Sequence, residues 1–312
     1  MAKRDLISIR DLNKEEVYEI FKISGELKEG VKKGHLPPLL DKKTMAMIFM
    51  KPSLRTRCTF ELGMYQLGGH AVYLAPSDIG IGKRESIYDV SKNLERWFDI
   101  IMARVFEHKT VLDLARFASI PVINALCDME HPCQVMADFL SVLERRGDLA
   151  DFTLAFIGDG NNVCNSLILL SAILGTNIRV SSPRGYEPSK EVLKKADLLF
   201  KSSGGTYEFS YDPADAVKKA EAIYTDVWAS MGQESEAGER KKIFHSYQVN
   251  KDLLKNAPQE VMIMHDLPAH RGDEITDEVI DSENSIVFLQ AENRLHAQKG
   301  IIVFLLRHSS PQ

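Results

Sequence analysis

The stretch Lys51-Pro52-Ser53-Leu54-Arg55-Thr56-Arg57-Cys58-Thr59-Phe60-Glu61 follows directly on the apolar run Met45 to Met50, and its reading decides the fold. An apolar run of strand length, broken by Pro52 and followed by a hydroxyl residue in capping position, predicts a strand that feeds a helix. The first turn of such a helix presents free backbone N–H groups and the positive end of the helix dipole. Arg55 adds a planar fork of donors that suits phosphate oxygens. A phosphate-bearing ligand is therefore expected at Ser53 to Thr56.

The same alternation continues on either side. Asn13 and Glu16 have the spacing of a capping box, and Val17, Ile20, Phe21, Leu27 and Val31 follow at mostly helical intervals, so the chain opens with an amphipathic helix. Strands are then expected near residues 45–50, 71–75, 99–103 and 121–124, and helices near 53–67, 85–98, 108–118 and 131–146, with Gly68-Gly69 stopping the helix after Ser53. Past Arg145-Arg146-Gly147-Asp148 the rhythm restarts, with strands at Phe152 to Ile157, Asn177 to Ser181, Ala222 to Val227 and Val261 to His265, and a last helix is expected over Gln298 to Leu306. The predicted class is α/β, with two domains, each a parallel sheet flanked by helices, and an active site in the cleft between them. The expected bounds are 1–140 and 141–290, with 291–312 forming a C-terminal helix that packs back on the N-terminal domain.

A chain of 312 residues fits two domains at roughly 150 residues each. Its formal net charge of -5 offers no basic field for nucleic acid, and pairs such as Lys194-Lys195 and Lys241-Lys242 read as solvated faces. No apolar run approaches the roughly 18 residues needed to span a bilayer, and the N-terminus lacks the apolar core of a secretory signal. A cytoplasmic enzyme with no nucleic-acid or membrane partner is expected. Cys58, Cys127, Cys133 and Cys164 show no paired spacing and are expected as reduced thiols in packed elements.

In open parallel sheets ligands gather beyond the carboxyl ends of the strands. Those places hold Ser53 to Arg57, Arg104 and His131-Pro132-Cys133-Gln134 in the first half. In the second half they hold Asp159-Gly160-Asn161-Asn162, Asp226 with Ser230-Met231-Gly232, and His265-Asp266-Leu267-Pro268. The turn Gly158-Asp159-Gly160-Asn161-Asn162-Val163 lacks the third glycine of a dinucleotide fingerprint, and no acidic residue ends the next strand. A nicotinamide dehydrogenase is thereby disfavoured. No Walker loop and no metal-ligand spacing is present, so neither a metal nor an organic cofactor is expected.

Taken in order, Ser53-Leu54-Arg55-Thr56-Arg57, Met102-Ala103-Arg104 with His108, His131-Pro132-Cys133-Gln134, Asp226-Val227-Trp228-Ala229-Ser230-Met231-Gly232 and Ala291-Glu292-Asn293-Arg294 resemble the signatures of ornithine carbamoyltransferases over nearly the whole chain. The resemblance implies transfer of a carbamoyl group from carbamoyl phosphate to the δ-amino group of L-ornithine, giving citrulline and phosphate. It also implies a homotrimer, or a multiple of trimers, with no cofactor. Carried across, Ser53, Leu54 through its amide, Arg55 and Thr56 hold the phosphate, and Arg104, His131 and Gln134 hold the carbamoyl oxygen. Asn162, Asp226, Ser230 and Met231 grip the amino-acid end of ornithine, while Asp266, Leu267 and Arg294 close the site around both substrates. The catalytic set is then Arg55, Arg104, His131, Gln134 and Asp266, with Leu267, Arg294 and Lys83 among the carbamoyl phosphate contacts.

Three positions depart from the family pattern. Leu54 stands where threonine is usual, Gly80 where a glutamine from the neighbouring subunit reaches the phosphate, and Asp266 where a cysteine normally precedes Leu-Pro. Lys83, two places before Glu85, sits where aspartate carbamoyltransferases carry a lysine that enters the adjacent active site. Asp266 beside an amine is expected to shift the pH optimum. The alternatives are another amine acceptor, such as putrescine or an acylated ornithine, and a non-catalytic paralogue that binds carbamoyl phosphate.

Overall fold

The computed structural model of the chain describes residues 3–82, 84–229 and 232–309. It divides into two compact units, the first comprising Met1–Leu140 and Glu292–Gln312 and the second Ser141–Ala291. Among the described residues no helix is long and apolar enough to cross a membrane.

The first unit is built on four parallel strands, β1 (Thr44–Phe49), β2 (His70–Leu74), β3 (Ile100–Arg104) and β4 (Val122–Leu126), in the order β2-β1-β3-β4. β1 is apolar on both faces because helices cover both, and Met45 to Phe49 are all buried. On one side Ala46, Ile48, Ile101, Ala103 and Val122 meet Val90 and Leu94 of the helix Ile87–Trp97, and Val111 and Leu114 of the helix His108–Phe117. The capping box at Asn13 is formed, with Asn13 Oδ1 accepting from the Glu16 amide and Glu16 Oε2 from the Asn13 amide.

The second unit has five parallel strands, β5 (Thr153–Ile157), β6 (Asn177–Ser181), β7 (Tyr207–Ser210), β8 (Ala222–Thr225) and β9 (Met262–His265), in the order β7-β6-β5-β8-β9. Its core gathers Ala155, Ile157, Ile223 and Ile263 with Ala216, Val217, Val279 and Ile280 from covering helices.

Three local expectations need correction. β7 escapes a reading by apolar runs because it is a short, half-exposed edge strand, Tyr-Glu-Phe-Ser, behind Gly204-Gly205. The last helix runs over Val287–Arg307 rather than from Gln298, since buried polar residues, Gln290, Asn293, Arg294 and His296, interrupt its apolar pattern. Cys58 is exposed, whereas Cys127, Cys133 and Cys164 are buried. The final helix lies close against the first helix, Lys14–Lys32: a Cβ added at Gly300 would stand 2.2 Å from Ser24 Oγ and 2.9 Å from the Ile20 carbonyl oxygen.

Candidate active site

In the first unit the strand order reverses between β1 and β3, which is where an open parallel sheet opens a crevice at its carboxyl edge. β1 leads into the helix Leu54–Gln66, capped by Ser53, whose hydroxyl accepts from the Thr56 amide at 3.3 Å. Arg55 sits in the first turn, its carbonyl accepting from Thr59 Oγ1 at 2.6 Å. Leu54 is 75% exposed, so its side chain adds nothing polar to that turn and only its amide can serve an anion.

Thr56 is the hub of this edge. Its buried hydroxyl oxygen accepts from Arg104 Nη1 at 3.2 Å and from Arg294 Nη2 at 3.1 Å. Arg294 Nη1 donates to Gln134 Oε1, and Gln134 Nε2 donates to Asp138 Oδ1 at 2.8 Å. Arg104, His131, Gln134 and Arg294 are all buried. Four of the sequence-derived candidates, Thr56, Arg104, Gln134 and Arg294, thus form one bonded group, and Ser53 joins it through the cap. His131 stands at the start of the helix Pro132–Arg146, its carbonyl accepting from the Gln134 amide at 3.1 Å. His108 turns instead to Cys127, with Nδ1 3.2 Å from Sγ. Burial pushes the Cys127 thiol up to about 11 and the Cys133 thiol up to about 12, so both are protonated, inert packing groups. Gly80 takes a left-handed conformation, φ 58°, at the end of the short helix Pro76–Ile79. Lys83 lies outside the described residues.

In the second unit the order reverses between β5 and β8. After β5, Asn161 caps the helix Asn162–Leu174, its Oδ1 accepting from the amides of Val163 and Cys164 at 3.0 Å each. The same side chain reaches across to β8 and donates from Nδ2 to Asp226 Oδ2 at 2.6 Å. Asp226 Oδ1 accepts from the Val227 amide at 2.7 Å, and burial together with the nearby Asp266 carboxyl pushes its pKa well above the ordinary carboxylate range. Asn162 opens the helix with its own Oδ1 accepting from the Val163 amide at 2.9 Å. Ser230 and Met231 lie outside the described residues.

Leu267 adopts φ 57°, a left-handed conformation unusual for a leucine, before a cis bond to Pro268. That conformation points its amide at His265 Nδ1, 2.8 Å away. Nδ1 is therefore an acceptor, and the ring proton sits on Nε2 facing Glu274 Oε1 at 3.1 Å. Burial disfavours the charged ring, but the carboxylates of Asp266 and Glu274 outweigh it and raise His265 to about 10. These two influences conflict, because a proton on Nδ1 would require the Leu267 amide to turn away. The direct amide contact decides for the neutral tautomer in this arrangement.

Asp226, His265 and Asp266 bring carboxylate and imidazole atoms within 4.8 Å of one another, which is metal-ligand chemistry by residue type. With both ring nitrogens of His265 engaged, one by the Leu267 amide and one by Glu274, the group does not fit a metal.

Several residues of this edge escaped the reading by motif. Arg240 Nη1 donates to Asp159 Oδ2 at 2.7 Å and to the Trp228 carbonyl at 2.9 Å, its Nε donates to Glu236 Oε2 at 2.9 Å, and its guanidinium lies over the Tyr186 ring. Asn161, Glu274 and Arg240 carried no signal beyond a cap, a surface acid and an i,i+4 pair, because their partners are remote in sequence.

Residues 4–144 match the family model described as aspartate/ornithine carbamoyltransferase, carbamoyl-P binding domain, and residues 150–305 match the model described as aspartate/ornithine carbamoyltransferase, Asp/Orn binding domain. A protein of Pyrococcus horikoshii named ornithine carbamoyltransferase is 52% identical over 303 residues, covering 97% of this chain and 96% of its own. One from Pyrococcus furiosus named ornithine carbamoyltransferase, anabolic, is 50% identical over 98% of this chain and 97% of its own. The solved structure of ornithine carbamoyltransferase from Pyrococcus furiosus superposes with a TM-score of 0.96, at 50% identity and covering 99% of each chain.

Proposed function

Since the chain belongs to the aspartate/ornithine carbamoyltransferase family, we propose that it transfers the carbamoyl group of carbamoyl phosphate to the δ-amino group of L-ornithine, giving citrulline and phosphate. The observation that carries this reading is the Thr56 hydroxyl bonded to both Arg104 and Arg294, with Arg294 in turn on Gln134. It fixes two guanidinium groups and an amide beside a helix N-terminus, a donor set matched to a phosphate joined to a carbonyl.

In this reading Ser53, the Leu54 amide, Arg55 and Thr56 take the phosphate, with Lys83 as a further phosphate contact. Arg104, His131 and Gln134 face the carbamoyl oxygen, with Arg294 and Leu267 completing the carbamoyl phosphate contacts. Attack by the amine builds negative charge on that oxygen, and donors already held in place stabilise it without reorganising. Removing one such donor typically costs roughly 3 to 4 kcal/mol of barrier. As the C–O bond breaks, Arg55 and the helix N-terminus take up the charge on the departing phosphate. Asn162, Asp226, Ser230 and Met231 hold the α-amino and α-carboxylate groups of ornithine, and Asp266 meets the reacting amine. The product is a step toward arginine, the direction carried by the name of the anabolic Pyrococcus furiosus relative. A cytoplasmic homotrimer is the assembly we propose, and its mass in solution by light scattering is the check.

The test is a panel. Purified protein is incubated with carbamoyl phosphate plus ornithine, putrescine or aspartate, and the carbamoylated product is assayed. Citrulline as the dominant product is expected. Preferential carbamoylation of putrescine would transfer the reading to a diamine acceptor, and no product with any amine would leave a carbamoyl phosphate-binding protein without catalysis.

A further inference from the structure

Gln134 and Asp138 stand one turn apart on the helix Pro132–Arg146, so their side chains share a face. Gln134 is 1% exposed and Asp138 is entirely buried. Gln134 Nε2 donates to Asp138 Oδ1 at 2.8 Å, and at the other end of the amide Oε1 accepts from Arg294 Nη1. These two neighbours dictate one orientation, because a carboxylate offers only acceptors and a guanidinium only donors. Turned over, the amide would set its oxygen against a carboxylate and its NH2 against a guanidinium. Both bonds would be lost in an interior where each missing partner is costly.

That orientation is passed on to the anion-binding turn. Arg294 Nη2 donates to Thr56 Oγ1 at 3.1 Å, and the same oxygen accepts from Arg104 Nη1 at 3.2 Å. Asp138 is thus one end of a line of bonds that runs through Gln134 and Arg294 to Thr56, in the first turn of the helix that Ser53 caps. An apolar residue at 138 would leave Gln134 Nε2 without this acceptor. The amide would then be freer to turn about its last torsion, whose wells are broad, and the guanidinium it holds would lose a fixed partner.

Resting on the reading that this edge receives carbamoyl phosphate, we propose that Asp138 is a positioning residue for the reaction. With no exposed surface of its own, it acts by fixing the Gln134 amide and, through it, the Arg294 guanidinium. Gln134 then meets the carbamoyl group with its donor and acceptor ends already assigned, so no reorientation is needed when the ligand enters. The role asks for an acceptor at 138 and not for a charge. Asparagine meets that demand, because its Oδ1 can accept the same N–H. Leucine, of nearly the same size, does not.

The test is a double-mutant cycle on the full chain. Binding of phosphonoacetamide, a carbamoyl phosphate analogue in which a methylene replaces the bridging oxygen, is measured by calorimetry for wild type, Asp138→Leu, Gln134→Ala and the double variant, with urea midpoints alongside. Asp138→Leu should weaken the analogue about 10- to 100-fold. It should raise KM for carbamoyl phosphate in step, and leave KM for ornithine at saturating carbamoyl phosphate within about twofold. Once Gln134→Ala has removed the amide, the same substitution at 138 should cost less than about twofold more. Asp138→Asn should restore affinity to within about threefold of wild type, since the acceptor returns. Losses that multiply in the double variant, an asparagine variant as weak as the leucine one, or a lower urea midpoint with unchanged affinity would each overturn the proposal. If Asp138→Leu does not fold, Asp138→Ala takes its place in the cycle, because alanine also lacks the acceptor. A wild-type protein that does not bind phosphonoacetamide at all is a different result: it refutes the carbamoyl phosphate reading itself, and the proposal falls with it.

Discussion

Thr56 shows how much one small side chain can organise. A hydroxyl oxygen offers two lone pairs, and here both are used, one for each of two arginines far apart in the chain, Arg104 and Arg294. Thr56→Val keeps the shape and removes both acceptances, leaving two buried guanidinium N–H groups without that partner. Such a loss costs about 1 to 3 kcal/mol. We expect kcat/KM for carbamoyl phosphate to fall about 10- to 100-fold while the urea midpoint drops, both measurable on the purified variant. A variant with wild-type kinetics would mean that the two arginines are aligned by other contacts. Among the candidate residues this one was readable from sequence, because Ser53 marks the helix start and places Thr56 in its first turn. The partner Arg294 was reachable only by resemblance, as nothing local links residues 238 positions apart.

At the scale of elements, the final helix Val287–Arg307 is the least ordinary, because it buries a row of polar groups within a folded unit. Lys28 from the first helix donates to Asn293 Oδ1 at 2.8 Å, and Lys299 donates to Gln66 Oε1 at 2.9 Å. Burial lowers Lys299 to about 8, and burial together with Lys299, Lys28 and Lys32 lowers His296 to about 3. Between pH 6.5 and about 3 the unfolded chain therefore binds a proton at His296 that the folded chain does not, so stability is lost as pH falls through that window. His296→Leu removes the penalty. Relative to wild type, the variant should gain about 3 kcal/mol between pH 7 and pH 4 in chemical denaturation curves. Parallel loss in both proteins would place the ring in a wetter setting. This helix also marks where reading by periodicity stops working. β1 and β5 announce themselves as apolar runs because both faces are covered, whereas Gln290, Asn293, Arg294 and His296 look like a solvated stretch until their partners are known. β7 fails for the opposite reason, as a half-exposed edge strand has no apolar run to show.

The whole molecule is two parallel sheets whose strand orders reverse once each, between β1 and β3 and between β5 and β8. That much followed from alternating runs, since a repeated strand–helix rhythm has few other solutions. The pairing of Asn161 with Asp226 and of Arg240 with Asp159 did not, because those contacts arise from which strands become neighbours. The first unit takes residues from both ends of the chain, Met1–Leu140 and Glu292–Gln312, and the second only from the middle. Deleting residues from 292 onward should therefore strip protection from amides in 3–140 and spare those in 141–291, as read by hydrogen exchange with mass spectrometry. Equal loss in both would show that the units do not unfold separately.

The division of the first unit between two distant stretches also orders events on the ribosome. Every residue of the middle unit is synthesised before Arg294, which joins a unit whose other stretch ends at Leu140. The Thr56 hydroxyl must wait for its second guanidinium, so a chain stalled before Glu292 lacks the contacts by which Arg294 joins Thr56 to Gln134.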